Sequence, residues 1–263
     1  MERGEGREEQ IGALVRQTYE DPRIVCRYTE VGLWPGEESL ILDFVPDGAR
    51  LLDLGCGGGR AAIPLAEMGL QVAGIDVSGP MVELARQQAE LAGVEVDFSQ
   101  MDARQLRFPD CSFDAALCAY NGIELLPGRE GKLKMIREVW RVLSPGGCFI
   151  FSAHSIFALN QFAPARFGNF LKFVMGRILR LPIRERELGE RFLYEEWEEA
   201  KYLQVLPPSS LIAMLGKAGF ELAYFNTRKR LEKGKPWRLS GCFEDGERFF
   251  VARKPAGKIA PPS

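Results

Sequence analysis

The sequence predicts an α/β fold with a doubly wound, mostly parallel seven-stranded sheet, an antiparallel last strand and an inserted helical cap. From residue 50 onward, short apolar runs alternate with segments of helical period, and this alternation is typical of parallel strands joined by helices. Right-handed crossovers then place helices on both faces of the sheet. The last two predicted strands, 220–226 and 247–253, have no predicted helix between them, so we expect the last strand to run antiparallel.

Each element is predicted from its apolar pattern and its flanking residues. The strands are expected at 51–54, 71–75, 94–100, 113–118, 148–152, 220–226 and 247–253. Ile11, Leu14, Val15 and Thr18 share one helical face and predict an N-terminal helix. Further helices are expected at 40–45, at 60–68, after Ser78, along 133–143 and at 209–218. Ser78, and Ser209 or Ser210, are expected to cap the helices that follow them.

The composition narrows the class of protein. The chain has 263 residues, of which 46% are hydrophobic and 27% charged, as is usual for a globular enzyme. Its net charge of −2 argues against a uniformly basic surface for nucleic acid. Six cysteines without a C-x-x-C pair and a single histidine predict reduced thiols and no metal site. No signal peptide or long apolar run is visible, so we expect a cytoplasmic protein without a membrane span.

A glycine-rich loop after the first strand is the strongest functional signal. It runs from Asp53 to Gly59 as Asp-Leu-Gly-Cys-Gly-Gly-Gly, at the sheet edge where open parallel sheets bind ligands. Glycines there let the backbone approach a ligand and present its N–H groups. Asp76 and Asp102 end the next two predicted strands, and such carboxylates accept hydrogen bonds from ribose hydroxyls or an amino group. The loop fits both a relaxed G-x-G-x-x-A dinucleotide fingerprint and a D-x-G-x-G-x-G pattern.

The residues of this loop and five later segments resemble one enzyme family. Leu51–Gly59 closely resembles motif I of class I S-adenosylmethionine-dependent methyltransferases. Similar to the later motifs of that family are Gly74–Ser78, Met101–Ala103, Phe108–Asp114, Arg141–Gly147 and Lys217–Phe220. The resemblance covers roughly residues 45–155 and 205–253, and its order and spacing favour a Rossmann-like methyltransferase fold over a dinucleotide-binding one.

The resemblance implies S-adenosyl-L-methionine as cofactor, with S-adenosyl-L-homocysteine as product. The residues expected to bind it are Tyr28, Asp53, Gly55, Cys56, Gly57, Asp76, Val77, Met81, Asp102, Ala103 and Asn121. Asp53 would lie near the cofactor ammonium group, Asp76 would hold the ribose, and Asp102 would meet the adenine edge. Asn121 would lie beside the sulfonium. No metal ligand is expected.

The resemblance to this family also implies a division of the chain into segments. Residues 1–45 are expected to form a helical segment that closes over the cofactor site. The methyltransferase core would comprise 46–154 and 205–254, and 255–263 would be a loose tail. Residues 155–204 are long, apolar and basic, and we expect them to form the helical cap or substrate lid.

His154 and Tyr120 are the candidate catalytic residues. His154 follows the fifth predicted strand at the expected active-site edge, where an imidazole can act as a general base. The sequence Tyr120-Asn121-Gly122-Ile123 departs from the Asn/Asp-Pro-Pro-aromatic motif of DNA and glutamine methyltransferases. This departure favours the small-molecule branch of the family.

The sequence therefore predicts methyl transfer to a partly apolar small molecule, with the acceptor atom undetermined. One alternative is an RNA or protein methyltransferase that uses the basic patches 166–186 and 228–238. A second is a non-catalytic S-adenosylmethionine-binding protein. Contact of the basic cap with a membrane surface is a further option, and the oligomeric state is not predicted.

Overall fold

A computed structural model describes residues 2–193, 202–238, 241 and 243–257. The predictions made for residues 194–201 of the cap, for the thiol of Cys242 and for residues 258–263 of the tail lie outside the described residues. Within the described chain, no helix is long and apolar enough to cross a membrane.

One seven-stranded sheet organises the molecule. Its strands in chain order are β1 (Arg50–Leu54), β2 (Gln71–Asp76), β3 (Asp97–Gln100), β4 (Phe113–Cys118), β5 (Leu143–Ala153), β8 (Glu221–Thr227) and β9 (Arg248–Arg253). Their spatial order is β3-β2-β1-β4-β5-β9-β8. The pairs among β1 to β5 are parallel, whereas β9 runs antiparallel to both β5 and β8. The predicted fold, including its antiparallel last strand, is confirmed.

Helices pack on both faces of this sheet. The helices are α1 (Glu2–Tyr19), α2 (Pro22–Val25), α3 (Pro35–Phe44), α4 (Ala62–Glu67), α5 (Gly79–Ala92), α6 (Gly128–Val142), α7 (Ala163–Ile178), α8 (Pro208–Lys217) and α9 (Arg228–Leu231), with a 3-10 turn, η1, at Gly122–Leu125. Ser78 caps α5 as predicted, because its Oγ accepts a hydrogen bond from Met81 N at 3.3 Å. Gly93 ends the same helix in the left-handed region, with φ +70°.

The core lies on both sides of the sheet because successive strand residues face opposite ways. Leu51 contributes to the cluster under α3, α4 and α5. Its neighbour Leu52 contributes to the cluster under α6 and α8. Both are fully buried, as expected for a strand of a sheet covered on both faces. The carboxyl ends of β1, β2, β4 and β5 are thereby held at one common edge.

Three predicted details are wrong. α3 begins at Pro35 rather than near Ser39, because the Glu37 carboxylate accepts a hydrogen bond from Trp34 N at 2.9 Å and starts the helix earlier. α8 begins at Pro208, so the serines expected as caps lie inside its first turn. The cap at 155–204 is not purely helical, since β6 (Glu190–Phe192) and β7 (Tyr202–Gln204) form an antiparallel pair beside α7.

Polar contacts connect this strand pair to the rest of the molecule. Tyr202 accepts a hydrogen bond from Gly128 N at 2.9 Å, and Arg7 pairs with Glu190 at 2.9 Å. Lys132 is buried on α6 and donates to Leu126 O and to Gln204 Oε1, at 2.8 and 3.0 Å. The inserted strands are thus tied to both α6 and the N-terminal helix.

The buried Lys132 gives a testable pH dependence of stability. Burial lowers its pKa from 10.5 to about 7, against the opposing charges of Glu124, Glu187 and Glu190. Between these values the unfolded chain binds more protons than the folded chain, so Lys132 makes the free energy of unfolding rise with pH. We expect Lys132→Met to remove this contribution between pH 7 and about 8.5, measured by urea unfolding of both proteins. Equal slopes for the two proteins would contradict the prediction.

Candidate functional site

A cavity of about 150 Å³ lies at the carboxyl ends of β1, β2 and β4. Its wall includes seven residues predicted to bind the cofactor and the candidate catalytic Tyr120. These residues are Tyr28, Gly55, Gly57, Asp76, Val77, Asp102, Ala103 and Tyr120. Gly12, Val15 and Tyr19 of α1 also line the cavity. The end of α1 is held there because Ser78 Oγ donates to Tyr19 O at 2.7 Å.

The glycine loop is shaped by close contact with the segment around Tyr28. Gly57 has φ +52°, a conformation that strains residues with a side chain. A Cβ built on Gly58 would lie 2.3 Å from the Tyr28 carbonyl oxygen. The Gln88 amide also donates hydrogen bonds to the carbonyls of Gly58 and Tyr28. The loop and the N-terminal segment can therefore meet only because position 58 lacks a side chain.

We expect Gly58→Ala to weaken both the fold and cofactor binding. The added methyl must push the Tyr28 backbone away from the loop, and overpacking of this kind costs about 1–3 kcal/mol of folding free energy. Thermal unfolding and titration with S-adenosylhomocysteine measure the two effects. Gly216→Ala is the matched control, because nothing lies within 4 Å of its built Cβ and alanine favours a helix. Unchanged binding by Gly58→Ala would contradict the prediction.

Asp76 ends β2 with its carboxylate already ordered by the backbone. Oδ2 accepts from Gly57 N at 3.0 Å, and Oδ1 accepts from Ser78 N at 2.8 Å. Burial raises the pKa of Asp76, and these backbone hydrogen bonds partly offset that rise. A carboxylate has about four acceptor positions, so two remain for hydroxyl groups of a ligand in the cavity.

Asp102 also lines the cavity, but it is held by a neighbouring arginine. Arg104 Nη2 lies 2.6 Å from Asp102 Oδ2. Burial opposes the charged form of Asp102, yet the hydrogen bonds from Arg104 outweigh it and lower the pKa of the carboxyl. Arg104 itself lines the cavity, so a ligand at this end meets the ion pair rather than a lone carboxylate.

Four predicted cofactor residues lie behind the cavity wall. Asp53, Cys56, Met81 and Asn121 are all buried and are absent from the cavity lining. Burial raises the pKa of Asp53 to about 7, although the nearby Arg60 opposes the shift. Both Asp53 carboxylate oxygens and Asn121 Oδ1 have no hydrogen-bond partner.

The acceptor atoms without partners on Asp53 and Asn121 indicate which chemical groups a ligand of this site would bring. Buried polar atoms are normally hydrogen-bonded, so acceptors without partners beside the cavity suit a ligand that brings donors. S-adenosylmethionine carries an ammonium group and ribose hydroxyls, which are donors, and the ordered Asp76 carboxylate offers them further acceptor positions. The donor and acceptor pattern of the site therefore fits this cofactor.

Tyr120 lies on the wall in a strained conformation. Its φ is +51° and that of Asn121 is +60°, an uncommon region for residues with a side chain. The Tyr120 ring lies 5.0 Å from that of Trp34, and the Arg60 guanidinium lies 5.4 Å from its centroid. Asn121 N is held by Ser152 Oγ at 3.0 Å, which fixes the backbone after β4.

His154 lines a second cavity, of about 660 Å³, beside η1. Its floor carries Glu124, His154 and Glu247, and part of its wall is the inner face of α7. The His154 side chain is 44% exposed and so remains accessible from this cavity. The η1 turn borders both cavities, since Glu124 lines the second while Gly122 and Leu125 line the first.

Glu124 orients the His154 ring and changes its basicity. Glu124 Oε1 accepts from His154 N at 2.5 Å, and Oε2 lies 3.1 Å from Nδ1. Nε2 is 3.8 Å from Glu247, too far for a hydrogen bond. Burial disfavours the imidazolium, but the hydrogen bond and charge of Glu124 outweigh burial, so the pKa of His154 is raised. The contact assigns the proton to Nδ1 and leaves Nε2 as the basic nitrogen.

Sequence reasoning missed the partners of the predicted residues. It did not identify Arg104, Gly58, or the Glu37 carboxylate that binds Arg60 at 2.8 Å below the loop. Glu124 was missed as well, since it lies 30 residues from His154 in the chain. Glu124 lies three residues after Asn121, and this position at the β4 edge was the available signal.

Comparison with known proteins identifies the family of the chain. Residues 51–147 match a methyltransferase-domain family model. The chain is 34% identical over 182 residues to a demethylmenaquinone methyltransferase of Thermus thermophilus, covering 66% of this chain and 76% of the relative. It is 32% identical over 178 residues to a ubiquinone biosynthesis O-methyltransferase of Xanthomonas axonopodis, covering 67% and 64%. Two further curated methyltransferases align over 120 and 134 residues, and the chain spans 48% of the length of each.

The structural comparison supports the fold. A SAM-dependent methyltransferase from Methanosarcina mazei superposes with a TM-score of 0.66 at 23% identity, covering 86% of this chain and all of that one. Together with the sequence matches, this defines a Rossmann-like enzyme class. The chain belongs to the class I S-adenosylmethionine-dependent methyltransferases, and S-adenosylmethionine is its cofactor. The predicted family and cofactor are confirmed.

Proposed function

We propose that the protein methylates a small, partly apolar molecule that binds in the second cavity, with His154 as the base that accepts the acceptor's proton. The observation that carries the proposal is the Glu124–His154 pair, with Nδ1 3.1 Å from Glu124 Oε2, at the sheet edge beside the cofactor cavity. S-adenosylmethionine supplies an electrophilic methyl group on a sulfonium. The residues of the protein would bind the two reactants, orient them and remove the proton of the acceptor.

Binding and orientation of the cofactor are assigned to the first cavity. Asp76 would accept hydrogen bonds from the ribose hydroxyls. Val77 and Ala103 would pack on the adenine, with Asp102 and Arg104 at its edge. Asn121 and the loop from Gly55 to Gly57 would hold the amino-acid portion, with Asp53 below. Alignment of a methyl donor and its acceptor in this way can lower the activation free energy by about 7–11 kcal/mol.

Proton removal would use His154. A phenol-like hydroxyl has a pKa of about 10, so at neutral pH it needs a base to become a good nucleophile. Nε2 of His154 is the basic nitrogen, and the carboxylate of Glu124 would stabilise the imidazolium after proton transfer. The raised pKa of His154 makes it a stronger base than an ordinary histidine.

The lining of the second cavity supports a partly apolar acceptor. Ile156, Phe162, Phe170 and Phe173 contribute apolar surface, while Asn160 and Asn169 contribute amide groups. Such a mixture is typical of small-molecule sites, where a few polar groups fix the orientation of an apolar ligand. Two of the relatives are named for demethylmenaquinone and for ubiquinone biosynthesis, and we infer an aromatic acceptor of this chemical kind.

The basic patch at 228–238 does not favour an RNA substrate. Arg228 pairs with Glu232 at 2.8 Å and Arg230 pairs with Glu244 at 2.6 Å. Two of the six basic residues of the patch are neutralised in this way, and neutralised charges contribute little to phosphate binding. The pairing weakens the RNA alternative.

The proposal is tested by measuring S-adenosylhomocysteine formation with a set of aromatic acceptors. The set pairs demethylated quinols that carry an alkyl tail with the same head groups lacking it, and with RNA and a mixed peptide library. We expect turnover with the phenolic head groups and a lower KM when the tail is present. Turnover confined to RNA or peptide, or S-adenosylmethionine binding without turnover on any acceptor, would overturn the proposal.

A further inference from the structure

The surface of the inserted segment concentrates exposed apolar side chains. Ten of the 18 large apolar side chains exposed in the described chain lie within the 25 residues 157–181. They are Phe157, Leu159, Phe162, Phe167, Phe170, Leu171, Met175, Ile178, Leu179 and Leu181. Contiguous apolar surface of this kind on a water-soluble protein marks a contact with a partner or with lipid.

Helix α7 divides its residues between two different faces. Phe162, Arg166, Asn169 and Phe173 follow a helical spacing and line the second cavity. Phe167, Leu171, Met175 and Ile178 also follow a helical spacing, are absent from that lining and are all exposed. We call these four residues the apolar stripe. The stripe therefore is not the wall of the acceptor cavity but a separate outward face.

The charge around the stripe has one predominant sign. Between residues 162 and 186 there are six basic residues and one acidic residue, Glu185. The basic residues are Arg166, Lys172, Arg177, Arg180, Arg184 and Arg186. Glu185 pairs with Lys172 at 2.7 Å. The chain as a whole has a net charge of −2, so this local excess of positive charge is a property of the segment and not of the composition.

We propose that α7 and the following residues to 181 dock on the surface of a bilayer that contains anionic lipids. The apolar stripe would enter the boundary between headgroups and acyl chains, and Arg177 and Arg180 near the end of α7 would contact the lipid phosphates. An apolar helical face bordered by basic residues is the pattern of helices that lie in the membrane interface. At 16 residues, α7 is about 24 Å long, and none of the described helices meets the requirements of a membrane span.

Docking would also place the second cavity beside the bilayer. The cavity-lining face and the apolar stripe belong to the same helix, so an acceptor with an alkyl tail could pass from the lipid to the cavity without crossing water. The docking surface is defined by the exposed apolar side chains and the basic residues of this segment. It does not depend on whether His154 acts as a base.

The test is co-sedimentation of the whole protein with vesicles. One vesicle type is phosphatidylcholine alone, and the other contains about 30 mol% phosphatidylglycerol, enough to give an anionic surface. We expect binding to the anionic vesicles that weakens with added salt, and much weaker binding to the neutral ones. Phe167→Ser combined with Ile178→Ser should lower the partition coefficient about tenfold or more. These side chains are 62% and 68% exposed, so their replacement leaves the packed core unchanged.

The matched control carries Leu42→Ser and Leu91→Ser on α3 and α5, whose side chains are 67% and 88% exposed. It should bind anionic vesicles as the unchanged protein does. A second variant, Arg177→Gln with Arg180→Gln, should bind more weakly and show a smaller salt dependence. Titration with S-adenosylhomocysteine checks that each variant retains its fold.

Three outcomes would overturn the inference. The first is equal binding to neutral and anionic vesicles, or no binding to either. The second is lipid binding that the stripe variant retains. The third is self-association in the absence of lipid, measured by sedimentation velocity, that the stripe variant abolishes; the stripe would then be a contact between two copies of the chain. Vesicle binding without methyl transfer would contradict the proposed function but leave the docking surface intact.

Discussion

Replacement of His154 by glutamine is expected to lower kcat for a hydroxyl acceptor by about 10²–10⁴, the usual contribution of a general base. The affinity for S-adenosylmethionine should not change, because His154 lines the second cavity and not the cofactor cavity. The reaction rate of the unchanged protein should rise with pH through the pKa of His154, since only the neutral imidazole accepts a proton. That pKa lies above its usual value.

Glu124→Gln tests the contribution of the Glu124 charge to the basicity of His154. An amide has a single acceptor oxygen, so it can accept from His154 N or from Nδ1 but not from both, and it removes the negative charge that raises the pKa of His154. We expect the ascending limb of the pH–rate profile to move to lower pH, with a lower plateau rate. A profile that is unchanged in Glu124→Gln, together with full activity of His154→Gln, would show that the reaction uses no base at this position.

Replacement of Asp76 by alanine should give the largest loss of cofactor affinity. Each hydrogen bond to a charged acceptor contributes about 1.5–3 kcal/mol, so loss of two ribose contacts weakens binding by about 10²–10⁴. The substitution also removes the acceptor of Gly57 N and Ser78 N, which order the glycine loop. Calorimetric titration with S-adenosylmethionine and S-adenosylhomocysteine measures the change.

Asp97→Ala is the control for Asp76→Ala. Asp97 lies at the start of β3 and is exposed, away from the cofactor cavity. It should leave the affinity unchanged. Equal affinities of Asp76→Ala and the unchanged protein would show that the ribose is held elsewhere.

The sheet could be predicted from the sequence because each strand carries a local signal. Leu51 and Leu52 are adjacent residues of β1, and both are apolar because this strand is buried on both faces. The glycine loop and Asp76 are also local, since each directly follows a strand. Seven of the residues predicted to bind the cofactor, from these signals and from the family resemblance, line one cavity.

The contacts that depend on distant residues could not be predicted in the same way. The Glu124–His154 pair spans 30 residues, and the Arg7–Glu190 pair spans 183. The strands β6 and β7 are three residues each and are stabilised by contacts with α1 and α6, so their short sequences carry little strand pattern of their own. The sequence alone predicts a surface lysine at position 132, but in the fold Gln204 and the inserted segment cover its side chain.

A crystal structure of the protein with S-adenosylhomocysteine would test the proposed methyl transfer to an acceptor beside His154. We predict the ribose hydroxyls within hydrogen-bond distance of Asp76, and the homocysteine portion between the glycine loop and Asn121, with its sulfur directed towards the cavity that contains His154. A sulfur directed away from that cavity, with η1 closed between the two, would contradict the proposed transfer to an acceptor beside His154.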